Sequence, residues 1–104
     1  MTPLEVREFL EALDPVWVHL AEYRMTHGHL HLLLTNEHFR RVADVYLSDC
    51  MYIAGPTSGG PWTCSLREER NGTDNCLILS AGGELTIKAL RAHACAPNEP
   101  GRFP

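Results

Sequence analysis

The sequence predicts an α+β fold, mostly antiparallel β, with an N-terminal amphipathic helix packed on a curled sheet or small barrel of about six strands. Three observations carry this. A capping signature opens the chain and leads into an apolar stripe of helical period. Alternating apolar positions then recur between residues 16 and 94. Short glycine-containing turns separate those alternating runs.

The helix is predicted over residues 3–13. Thr2 caps it, Pro3 suits the first helical position because its missing N–H would find no partner there, and Glu5 completes a capping box. Val6, Phe9, Leu10 and Leu13 form one stripe, leaving Glu5, Glu8 and Glu11 on the solvent side. Asp14 precedes Pro15, and the proline ring disfavours helical backbone at the residue before it, so the helix ends there.

From Pro15 onward β-hairpins are expected through residue 94. Val16, Leu20 and Tyr23 allow a second helix, but the alternation of Leu30, Leu32 and Leu34 favours a hairpin. A turn at His27-Gly28 opposes Met25 to Leu30 and Tyr23 to Leu32, with Arg24 facing His31 on the outer side. Residues 39–53 are open between helix and strand. Phe39, Val42, Ala43 and Tyr46 are helically spaced, while the β-branched and aromatic content favours strands at 41–47 and 50–54. Residues 55–61, with three glycines and two prolines, read as a loop unable to supply a regular ladder.

A hairpin turn at Asn71-Gly72 opposes Leu66 to Leu77 and Cys64 to Leu79. A three-residue loop, Ala81–Gly83, opposes Leu79 to Leu85 and Leu77 to Ile87. The last strand runs from Glu84 to about Ala94. The whole is one domain over residues 1–95, with a flexible Pro-rich tail at 96–104.

Composition narrows the function classes. The chain has 104 residues, 44% hydrophobic and 21% charged, which excludes wholesale disorder. Nine basic against thirteen acidic side chains give a net charge of −4, which argues against nucleic acid as a partner. The acidic excess lies in residues 1–52, with eight acids and four bases; residues 53–104 carry five of each. No apolar run suits a membrane helix, and no basic, apolar leader opens the chain, so the expected compartment is the cytoplasm. Cys50, Cys64, Cys76 and Cys95 form no Cys-x-x-Cys pair and are expected to be reduced thiols packed as small hydrophobes.

Two groups of residues are singled out. His27, His29 and His31, with Glu22, offer imidazole and carboxylate ligands for zinc, copper or nickel, since alternate strand residues share a face. Glu5, Glu8 and Glu11 present an acidic face to a basic partner, and Trp62 is an aromatic anchor for recognition. No nucleophile elbow or phosphate-binding loop is present.

The leading functional reading is a non-catalytic binding or protein-interaction module without a cofactor, meeting a protein partner or a second copy of itself. The second is a metal-binding protein using the His27–His31 cluster. The third is a small-ligand-binding barrel or hydrolase with a pocket near Tyr52, Trp62 and His93. In outline only, the arrangement resembles small β-rich bacterial proteins, and no residue role follows from that.

Overall fold

The structure is a computed structural model, and it describes residues 2–71 and 74–97. Among the described residues it contains one α-helix, α1 (Pro3–Glu11), a short 3-10 turn at Thr26–Gly28, and nine strands: β1 (Val16–Arg24), β2 (His29–Thr35), β3 (Arg41–Ser48), β4 (Tyr52–Ala54), β5 (Ser58–Trp62), β6 (Cys64–Asn71), β7 (Asp74–Ala81), β8 (Leu85–Ala89) and β9 (Arg91–Cys95). The α+β class with an N-terminal helix and curled antiparallel sheet stands. The strands number nine rather than six, and they form two sheets rather than a closed barrel: β5-β1-β2-β3-β9 and β4-β8-β7-β6.

α1 forms as its sequence directs. Glu5 N–H donates to Thr2 Oγ1 and Thr2 N–H donates to Glu5 Oε1, satisfying two helix-end donors. The bond from the Thr2 backbone, more than that from its hydroxyl, holds the Glu5 carboxyl below its ordinary value. Val6 and Leu10 are fully buried, and Phe9 and Leu13 pack beside them. The helix ends at Glu11 rather than residue 13, and Asp14 Oδ1 accepts a hydrogen bond from the Thr63 hydroxyl.

The two sheets are joined by a bent two-stranded ribbon. β3 pairs with β9, and across the bend β4 pairs with β8. Backbone bonds from Leu90 to Ser48 and from Met51 to Lys88 bridge the bend. The single last strand expected over 84–94 is therefore two strands, because the chain changes sheets at Leu90.

Residues 58–62 are also a strand, contrary to the loop expected there. β5 lies at a sheet edge, where Pro61 interrupts no ladder on its outer side. The pairing slips between Val16 and Val18, consistent with the Gly-Gly-Pro run opposite.

Three hairpin registers differ from expectation. Tyr23 opposes Leu30, Arg24 opposes His29 and Glu22 opposes His31, because Gly28 N–H bonds back to Met25 and closes a four-residue loop. Leu66 opposes Leu79 and Cys64 opposes Ala81, with Asn71 paired to Asp74. The Asn71-Gly72 turn falls partly on Gly72, outside the described residues. At the following turn Ala81 opposes Leu85 and Leu79 opposes Ile87, so the three-residue loop is Gly82–Glu84. Each of these two later slips moves a pairing by two residues, which keeps every side chain on its face.

The core lies between the sheets and under α1. Leu10, Leu30, Leu32, Leu34, Leu79 and Ile87 are among its largest fully buried side chains. Gly82 has φ +59°, and a Cβ there would lie 2.2 Å from the Trp62 ring, whereas Gly83, φ +71°, has open space around it. Gly83→Ala should then lose only the left-handed backbone preference, about 1 kcal/mol, while Gly82→Ala adds displacement of a packed indole and loses more. Urea midpoints of the two variants check this, and equal losses would refute the packing account.

Candidate functional site

The predicted residues do not converge as a metal site. Glu22 directly opposes His31, and Arg24 opposes His29 rather than His31. Arg24 Nε donates to Glu22 Oε1 at 2.6 Å, so that carboxylate is already engaged. The His27 and His29 rings lie edge to face at 6.0 Å. Among the described residues, no group of three or more His, Cys, Asp or Glu side chains is arranged to hold a metal ion.

His31 belongs instead to a cluster built around Asp44, a residue the sequence analysis did not single out. Asp44 is fully buried although it sits on the outer face of the five-stranded sheet, across from Leu33 and Cys95. Arg41 Nη2 donates to its Oδ1 at 2.6 Å, and Arg41 Nε reaches both carboxylate oxygens at 3.1 and 3.2 Å. His31 Nε2 donates to the same Oδ1 at 2.7 Å. The His31 ring stacks on Tyr46 with centroids 4.5 Å apart.

Backbone irregularities assemble this cluster. The β2–β3 register slips between Leu34 and Thr35, leaving Val42 as an extra residue, so Arg41 and Asp44 share a face although three positions apart. A similar bulge at Ala21 turns Glu22 outward. In its absence Glu22 would continue the inward series of Val16, Val18 and Leu20. Glu22, His31, Tyr46 and His93 therefore form one cross-strand row over four strands.

The residues of the pocket expected near Tyr52, Trp62 and His93 lie apart. Tyr52 is on β4 in one sheet and His93 on β9 in the other. Trp62 is 8% exposed, its Nε1 donates to Glu84, and its ring packs against Gly59 and Gly82. It is a core residue rather than a recognition anchor. Glu5, Glu8 and Glu11 are exposed, although Glu5 is spent on the cap and Glu11 pairs with Arg7.

The exposed apolar side chains have a marked distribution. Of eight large ones among the described residues, Tyr23, Met25, Met51, Tyr52, Ile53 and Leu90 lie on segments that meet at one end of the molecule. Bonds from Asp49 to His27 and from Cys50 to Gly28 hold the β1–β2 hairpin tip against the β3–β4 junction, and the ribbon bend brings Leu90 beside it. Met25 is 87% exposed.

The sheet edges at this end and elsewhere are unequally protected. β5 carries Pro61 and two glycines, β6 carries the charged run Arg67–Arg70, and α1 packs on both β6 and β9. β4 has neither charge nor proline, and its second edge is bonded to no described strand. Proteins usually blunt free edges with short strands, charge, proline or a covering element, and of these β4 has only its three-residue length.

Comparison with protein families, characterised proteins and solved structures finds no match to this chain. No helix among the described residues is long and apolar enough to cross a membrane.

Proposed function

We propose that this chain is a non-catalytic protein-interaction module that docks through its β4 end. The observation supporting it is the coincidence of a strand edge free of charge and proline with segments carrying six of the eight exposed large hydrophobics. Apolar patches gathered in this way are typical of interfaces, where methionine and tyrosine are enriched. The partner fitted best is a second copy: antiparallel pairing of β4 with its twin about Ile53 extends the four-stranded sheet symmetrically. A protein rather than nucleic acid suits the net charge of −4, and unbridged cysteines suit a reducing compartment such as the cytoplasm.

Ile53→Lys tests the reading. The residue is 36% exposed, so a lysine stem can cover the same surface while its charge blocks edge pairing. Folding stability should change by less than about 1 kcal/mol, and self-association should weaken at least tenfold. Light scattering at low and high micromolar concentration reads the mass. A wild-type monomer throughout, with no partner crosslinked through a photoreactive phenylalanine at position 52, would sink the proposal.

A further inference from the structure

A second surface feature is a groove of about 430 Å³ beside β9, which shares Leu90 with the β4 end but includes no residue of β4 itself. Its polar wall is made by Tyr46, Ser48, Arg91 and His93. Cross-strand pairing explains their convergence, because Ser48 opposes Arg91 and Tyr46 opposes His93 on adjacent strands. Its apolar wall includes Leu77 and Leu90, and none of the residues lining it is acidic. The volume is in the range of small-ligand sites, which combine an apolar wall with a few convergent polar groups.

The charge is what selects the ligand. Arg7, Arg24, Arg41 and Arg67 each have a carboxylate within ion-pair distance. Among the described residues Arg91, like Arg40 and Arg70, has none, and of these three it alone lines the groove, where it is exposed. The neighbouring groove, about 330 Å³, differs in this respect, since Arg24 there is met by Glu22. A guanidinium fork matches a carboxylate through two parallel N–H donors, and His93 and Ser48 lie beside it to complete the head-group contacts.

We infer that this groove binds a small amphiphilic carboxylate, its head on Arg91 and His93 and its apolar body along Leu77 and Leu90. The full chain is titrated at low ionic strength with hexanoate, with hexanol, and with inorganic phosphate, following the methyl signals of Leu77, Leu90 and Ala92 by NMR. The expected result is saturable shifts with hexanoate, at least tenfold weaker in Arg91→Gln, and at least tenfold weaker for hexanol and phosphate. Leu90→Gln should weaken hexanoate while leaving the response to phosphate unchanged. Absence of saturation, wild-type affinity in Arg91→Gln, or phosphate binding as tightly as hexanoate would each overturn the inference. Ile53→Lys should bind hexanoate like the parent, so failure of β4 docking and failure of this site are read separately.

Discussion

Arg41→Ala is expected to destabilise the fold by about 3–5 kcal/mol, more than removal of the aspartate it pairs with. Asp44 is fully buried, whereas the Arg41 side chain is 35% exposed. Removing the arginine leaves the buried carboxylate with His31 Nε2 as a donor but without the guanidinium that balances its charge. Asp44→Ala instead frees an arginine that can turn toward solvent, so its loss should be about 2 kcal/mol, from cavity and hydrogen bonds together. The double variant should be more stable than Arg41→Ala alone, since it no longer buries a carboxylate that has lost its arginine. Urea unfolding of the three variants measures all of this. Equal or reversed losses for the two single variants would show that burial of Asp44 does not govern the cluster.

This cluster was not legible in the sequence because its geometry depends on departures from strict alternation. Val42 and Ala43 are adjacent apolar residues followed by Val45 and Leu47, a change of parity that marks the bulge once its meaning is known. The same signal occurs in β1. Val16, Val18 and Leu20 occupy even positions and Tyr23, which opposes the buried Leu30, an odd one, and a uniform strand cannot place all four on one face. A bulge at Ala21 reconciles them.

Local signals fared better than pairing. The Thr2, Pro3 and Glu5 cap is self-contained within one helical turn, so its sequence determines it. The strands expected at 41–47 and 50–54 are found at Arg41–Ser48 and Tyr52–Ala54, so local composition locates both, with the second starting two residues late. Register failed in β7, where Cys76, Leu77, Ile78 and Leu79 are all buried. A strand apolar on both faces offers no alternation, and slips of two residues then satisfy the same apolar pairings. The proposed docking end was hidden for a different reason: its members come from three distant segments joined by the ribbon bend and the hairpin tip.

Cys64 should make the protein sensitive to alkali. Burial, and next the nearby Asp14, push its thiol from 9.0 to about 12. The folded pKa lies above the unfolded one, so the folded state holds this proton more tightly. The contribution is fully present below about pH 9 and is lost as pH rises toward 12. At ~1.4 kcal/mol per pH unit, the whole interval amounts to about 4 kcal/mol. Cys64→Ala removes the titration at a cost of about 1 kcal/mol in lost packing, so the parent should be the more stable protein at neutral pH. Near pH 11 the parent has lost about 3 kcal/mol through this thiol, and the order of stability reverses. Comparing the two proteins cancels the titration of tyrosines and lysines common to both. A stability difference that stays constant from neutral pH to about 11 would show that Cys64 ionises without unfolding the core around it.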